Sequence, residues 1–209
     1  MKESLYDKKI YILFSFGRSG LDFLHSRLDS HPEILIIPNF IFYRQIYQFK
    51  KKYNFHQTKE ILNKKNIKKF VNFIYNNNRN NFETEFLFSQ KKKNKFIFYV
   101  YDYFKKLNHE INVKNLFLSF NYAFAKLHNI KIDKIKIIIS HEHSVHFLDN
   151  YKLHFKNVKY IAMIRNPLNI YASIKKLFIK REMTLKSIHL DFQFAQILRA
   201  FEFIKNNKT

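Results

Sequence analysis

Two hydrophobic periods follow one another at the start of the chain. Residues 9–16 form a short apolar run that ends at Gly17, and such a run is typical of a buried parallel strand. Leucines at helical spacing then predict an amphipathic helix over residues 20–29. The helix should end before Pro32, because the residue that precedes a proline is pushed out of the helical region. The apolar run at residues 34–37 predicts a second short strand.

The middle of the chain has a different pattern. Residues 40–130 are rich in Lys, Asn, Phe and Tyr. The pattern predicts mainly helices, roughly over 56–77 and 115–128, with loops such as Asn76–Asn81. We interpret this region as a helical insertion between the units of an α/β core.

Strand–turn–helix patterns return after residue 134. Asparagine favours the N-cap of a helix and proline its first position, so Asn166-Pro167 marks a helix start. The predicted elements are, in order, a strand over 135–139, a polar turn at 141–144, a helix capped by Ser144 that runs to about residue 155, a strand over 158–164, a helix from Asn166-Pro167, and a last helix over 184–205.

Strand–turn–helix units at both ends of the chain imply parallel pairing, because parallel neighbours need a crossover connection. We therefore predict a three-layer α/β fold with a central parallel sheet and a helical insertion. The whole chain, residues 1–209, is expected to form one domain.

The chain is strongly basic, with a formal net charge of +22 and 18% aromatic residues. This composition permits binding to a polyanion such as nucleic acid. Lys, Asn, Ile, Phe and Tyr all have AT-rich codons, however, so codon bias explains the same numbers. Because the lysines are dispersed and no nucleic-acid motif appears, we expect no specific nucleic-acid partner.

Two other absences in the sequence narrow the possible functions. There is no cysteine, which excludes disulfides, zinc–thiolate sites and thiol catalysis. No apolar run approaches the ~20 residues that a membrane span requires, and the start of the chain is charged. We expect a cytoplasmic protein without a transmembrane segment.

Both glycines of the chain, Gly17 and Gly20, lie in the turn between the first strand and the first helix. Backbone N–H groups at the positive end of a helix form a ready anion site. Arg18 would add a planar guanidinium for phosphate oxygens, and Ser19 a hydroxyl. The turn is not a Walker A loop, because Leu21 stands where that motif needs lysine. An ordinary turn with a surface arginine remains the alternative.

A second candidate anion site follows the strand predicted at 158–164. Arg165 stands at the carboxyl end of that strand, and Ser173 lies about two turns into the next helix. A guanidinium and a hydroxyl placed in this way could hold a phosphate, and ligands of open α/β sheets bind outside the carboxyl ends of the strands. A salt-bridging arginine and a surface serine are the alternative interpretation.

Together these segments resemble PAPS-dependent sulfotransferases, whose donor is 3'-phosphoadenosine-5'-phosphosulfate. Residues 16–33 resemble the 5'-phosphosulfate loop with its helix and terminal His31-Pro32, and residues 159–173 resemble the 3'-phosphate segment. The resemblance implies a P-loop NTPase-like fold, PAPS as co-substrate, no metal, and sulfuryl transfer to a hydroxyl acceptor, a glycan or another small molecule. The donor-binding residues implied are Gly17, Arg18, Ser19, Gly20, Leu21, Arg165 and Ser173.

The same resemblance implies catalytic roles. Arg18 is expected to stabilise charge on the bridging oxygen, and His141 or Glu142 to act as the base. The alternative for His141 and Glu142 is a polar loop without a catalytic role. A metal site is disfavoured, because two residues at positions i and i+2 of a turn are poorly placed to share a metal ion. The chain departs from the family pattern at Leu21-Asp22, where the family usually has two threonines, and at Asn39, near the place of the usual acid.

Other functional classes stay open. One is a degenerate, non-catalytic nucleotide binder, and another is an unspecific basic nucleic-acid-binding protein. A nucleotide kinase-like enzyme is disfavoured by the missing Walker lysine. Sulfotransferases usually continue beyond the arginine–serine segment with a basic loop that closes over the nucleotide, so we expect a truncated or divergent member of bacterial type.

Overall fold

The computed structural model describes residues 4–15, 20–29, 31–38, 40–78, 90–107, 110–180 and 187–206. A four-stranded sheet with the order β2-β3-β1-β4 lies at its centre, and every neighbouring pair is parallel. The strands are β1 (Lys9–Ser15), β2 (Ile34–Ile36), β3 (Ile137–Glu142) and β4 (Val158–Met163).

Eight α-helices lie within the described ranges. They are α1 (Leu21–Leu28), α2 (Phe42–Tyr53), α3 (Lys64–Asn78), α4 (Gln90–Leu107), α5 (Val113–Leu127), α6 (Leu148–His154), α7 (Pro167–Lys180) and α8 (Ser187–Asn206). None of these described helices is both long and apolar enough to cross a membrane.

The two faces of the sheet carry cores of unequal size. Side chains alternate between faces along a strand, so Leu13 faces α1, where it packs with Leu21. Ile12 and Phe14 belong to a much larger cluster that also holds the apolar faces of α2, α3, α4 and α5. The helices between β2 and β3 therefore share one core with the sheet.

Phenylalanine rings build much of the larger core. Phe120 of α5 stacks on Phe40 with ring centroids 5.5 Å apart, and it contacts Phe70 of α3 at 5.7 Å. Phe42 of α2 meets Phe117 edge-to-face at 5.2 Å. Each such pair contributes about 0.5–1.5 kcal/mol beyond the area it buries. The abundant aromatic side chains therefore stabilise the core by packing, although codon bias explains their number as well.

Several predicted elements are confirmed. The bounds of β1, β2, β4 and α1 agree with prediction to within one residue at every end. Asn166 caps α7 as expected, since its Oδ1 accepts a hydrogen bond of 2.9 Å from the Leu168 N–H. Central parallel strands and many helices agree with the expected α/β class. The last predicted helix is confirmed over Ser187–Asn206, and residues 184–186 lie outside the described residues.

Other predictions about the chain are wrong. The strand predicted over 135–139 runs over 137–142 instead, so His141 and Glu142 lie inside β3 and not in a turn. Ser144 does not cap α6: it precedes a 3₁₀ turn over Val145–Phe147, and its side chain makes no capping hydrogen bond. The helix predicted over 56–77 begins only at Lys64, and residues 76–78 of the predicted loop are helical. Helices α2 and α4 are not among the predicted elements.

Candidate functional site

The helices that follow β1 and β3 lie on opposite faces of the sheet. After β1, helix α1 covers the face of Leu13. After β3, helix α6 packs through Leu148 and Tyr151 onto the other face. The carboxyl ends of β1 and β3 are therefore a topological switch point, the place where open α/β sheets bind their ligands.

Three polar residues are buried at this switch point, namely Ser15, His141 and Glu142. Within the described residues no hydrogen-bond partner reaches Ser15 Oγ, either ring nitrogen of His141, or Glu142 Oε2. Buried polar atoms without partners are costly and uncommon. Partners for these atoms must therefore come from outside the described residues, from solvent or from a ligand.

His141 points toward α1, since it pairs with Leu13 in the ladder. Its ring centroid lies 5.7 Å from that of His25 on α1 and 4.3 Å from that of His143. Burial, with smaller contributions from His143 and His25, lowers the pKa of His141 to about 3. The imidazole is therefore neutral near pH 7 and is a weak base.

Glu142 points to the opposite face, because it pairs with Phe14. Its Oε1 accepts hydrogen bonds from the backbone N–H groups of His143, at 2.8 Å, and Ser144, at 3.1 Å. Burial raises the pKa of Glu142 to about 8, and these two hydrogen bonds and the charge of Arg44 only partly oppose the increase. A carboxyl group of this kind exchanges its proton close to neutral pH.

The connection from β1 to α1 approaches the end of β4. Gly20 precedes α1 with φ 95°, in the left-handed region that favours glycine. A Cβ placed on Gly20 would lie 3.9 Å from Cε of Met163, the last residue of β4. Gly20, the described residue of the first candidate anion loop, is therefore a neighbour of the strand that leads to the second candidate site.

The second candidate site lies at the start of α7. Arg165 is exposed between the end of β4 and Pro167, where the helix begins, and Ser173 is half-buried two turns into that helix. The capping bond of Asn166 fixes the direction in which α7 leaves the strand. Arg165 thus stands at the carboxyl edge of the sheet, as the pattern predicts.

The structure limits the donor-binding role that is expected for Leu21. Its side chain is only 3% exposed and packs with Leu13, Ile36 and Ile139. Any contact with a donor nucleotide would have to use its backbone amide. Gly17, Arg18, Ser19 and Asn39 lie outside the described residues, so their predicted roles stay predictions.

Two residues near the site are absent from the predictions. Ser15 is a polar residue near the end of an otherwise apolar run, and that position is a usable sequence signal. Arg44, whose charge acts on Glu142, belongs to a helix that is not predicted. Its proximity to β3 depends on tertiary packing and leaves no local pattern.

No group of three or more His, Cys, Asp or Glu side chains in the described ranges is placed to hold a metal ion. Comparisons with known proteins add no constraint. A scan against protein-family models, a search of curated proteins and a search of solved structures each returned no match to this chain.

Proposed function

We propose that this chain is a PAPS-dependent sulfotransferase that moves a sulfuryl group to a hydroxyl of a glycan or small-molecule acceptor. One observation carries the proposal. The two segments that resemble the donor-binding motifs follow β1 and β4, which are adjacent parallel strands, so both reach the same edge of the sheet. Glu142, whose carboxyl group is buried, is the last residue of β3, the strand on the other side of β1.

The donor would lie across the ends of β1 and β4. In this proposal Gly17, Arg18, Ser19 and Gly20 bind the 5'-phosphosulfate, while Arg165 and Ser173 bind the 3'-phosphate. The close approach of Gly20 to Met163 supports a single continuous site for both ends of the nucleotide. Backbone N–H groups at a helix start suit the anionic end of such a ligand.

Sulfuryl transfer then requires a base. The acceptor oxygen attacks sulfur, the bond from sulfur to the bridging phosphate oxygen breaks, and adenosine 3',5'-bisphosphate leaves. Of the two expected candidates Glu142 is the better base, because its pKa of about 8 lies nearer neutral pH than that of His141 at about 3. Arg18 would stabilise the charge that develops on the bridging oxygen.

The 3'-phosphate assignment is tested by calorimetric titration of Arg165→Ala. We expect the variant to lose about 1.5–3 kcal/mol of binding free energy for adenosine 3',5'-bisphosphate, as for a hydrogen bond to a charged group. Adenosine 5'-monophosphate, which lacks the 3'-phosphate, should lose little. Arg27→Ala is the matched control, because Arg27 lies in the last turn of α1, away from the carboxyl edge. Equal losses for both nucleotides would refute the assignment.

A non-catalytic nucleotide binder is the second candidate function. The buried side chain of Leu21 favours it, because that position cannot offer the donor the hydroxyl that a threonine supplies. Binding of adenosine 3',5'-bisphosphate without release of sulfuryl from PAPS, across a panel of hydroxyl acceptors, would identify this alternative.

A further inference from the structure

A cavity of about 660 Å³ opens at the amino edge of the sheet. Its walls come from the starts of β1 and β4, the start of α5 and the segment that follows α6. The seven residues of β1 separate this edge from the carboxyl edge by about 20 Å. The cavity is therefore distinct from the proposed donor site, and its volume is in the range of small-molecule sites.

Four lysines line the cavity, and the fold brings them together from three separate parts of the chain. Lys8 and Lys9 lie at the start of β1, Lys114 in the first turn of α5, and Lys156 between α6 and β4. Asp7 is the only acidic residue among the described residues of the wall. Codon bias explains a high lysine content, but it does not explain convergence on one concave surface.

The charge of this cluster is not neutralised by described neighbours. No carboxylate of the described residues forms an ion pair with Lys8, Lys9 or Lys156. The Lys114 ammonium lies 3.5 Å from the centroid of the Tyr6 ring, a cation–π contact that holds it at the wall. Mutual repulsion of four ammonium groups is relieved when an anion binds between them.

We do not base an anion site on the amino end of α5, which lies in the wall. Asn112 already caps α5, since its Oδ1 accepts from the Asn115 N–H at 2.8 Å. Besides the lysines, the wall offers apolar surface, for Leu153 is 76% exposed and Tyr6 41%. Lysine binds phosphate and sulfate as a compact point charge. A ligand that matches this wall carries several negative charges and is small enough to enter the cavity.

We infer that this cavity binds a small anion with at least two phosphate or sulfate charges, independently of the proposed donor site. Polyphosphates and sulfated sugars share this chemistry. Two probes distinguish them, inorganic pyrophosphate and a trisulfated disaccharide, each titrated calorimetrically into the full chain at low salt.

The informative variant is the double substitution Lys114→Gln/Lys156→Gln. Its control, Lys51→Gln/Lys65→Gln, removes the same charge from exposed positions on α2 and α3. We expect the cavity variant to bind at least one probe about tenfold more weakly or worse, and the control to change less than threefold. Lys156→Gln alone, at an exposed position, should weaken binding about threefold without a risk to folding.

Arg165→Ala separates this inference from the proposed function. We expect it to leave probe binding at the cavity unchanged, whether or not it affects nucleotide binding. The inference is overturned if neither probe binds to the wild type, if the control pair weakens binding as much as the cavity pair, or if only Arg165→Ala weakens it.

Discussion

At the residue scale, burial acts in opposite directions on two consecutive side chains. His141 and Glu142 project from β3 to opposite faces, and both are buried. Burial disfavours the charged form of each, so it lowers the pKa of the histidine and raises that of the glutamate. The sequence singles out both residues as polar, but only the structure shows that burial brings the pKa of one of them near neutral pH.

The raised pKa of Glu142 predicts a pH-dependent stability. Between pH 4.5, the ordinary pKa of a glutamate, and about pH 8, the folded state holds a proton that the unfolded state has released, so stability falls as pH rises. Glu142→Gln removes this penalty and keeps an acceptor for the N–H groups of His143 and Ser144. We expect the variant to gain several kcal/mol over wild type at pH 8 and little at pH 4.5.

Urea unfolding of both proteins at a series of pH values measures this difference. His141 lowers stability below about pH 6.5 in both proteins, so it cancels in the comparison. A difference that stays constant from pH 4.5 to pH 8 would contradict the raised pKa, and with it the assignment of Glu142 as the base.

At the scale of elements, the sequence predicts best where apolar runs end at Gly or Pro. Strand β1 is confirmed as far as Ser15, and α1 ends before Pro32. Helices α2 and α4 are hidden because Tyr and Phe occur on their exposed faces, as at Tyr47 and Phe98, as well as on their buried faces. The end of β3 is missed because two polar residues suggest a turn, whereas pairing with β1 continues as far as Glu142.

Packing around α1 limits how far the preceding loop can be changed toward the sulfotransferase pattern. Leu21→Thr would remove a leucine side chain from the small core under α1 and bury a hydroxyl there. We expect a loss of about 2–4 kcal/mol in the free energy of unfolding. Leu168→Thr is the control, because that leucine begins α7 and is 72% exposed.

Chemical denaturation of the two variants and the wild type gives the comparison. Similar small losses for both substitutions would show that Leu21 is not a core residue. Its position could then accept the threonine that the sulfotransferase pattern has there. A large loss of stability for Leu21→Thr alone would mean that the chain tolerates a threonine hydroxyl only at the next position, in place of Asp22.

At the scale of the whole molecule, the strand order determines what meets at each edge. Local sequence patterns predict parallel strands but not that β3 lies between β1 and β2, because this order depends on long-range pairing. The order β2-β3-β1-β4 differs from the dinucleotide-binding order 3-2-1-4. It brings both candidate anion segments to neighbouring strands, and it leaves the lysine-lined cavity at the opposite edge.

Because the net charge is +22, unspecific attraction of anions is the main alternative explanation for any nucleotide binding. Unspecific attraction follows ligand charge and weakens steeply with salt. A shaped donor site must instead prefer one arrangement of phosphates over another of equal or greater charge. Two nucleotides that differ in this way therefore separate the explanations.

The most direct measurement is calorimetric titration of the wild-type chain with adenosine 3',5'-bisphosphate and with ATP at 150 mM salt. We expect one site per chain that binds the bisphosphate at least about tenfold more tightly than ATP, and we expect Arg18→Ala to weaken this binding. ATP carries the same full charge as the bisphosphate, so unspecific attraction would bind the two about equally. Binding of ATP as tight as that of the bisphosphate, or bisphosphate binding that Arg18→Ala leaves unchanged, would contradict the proposed donor site.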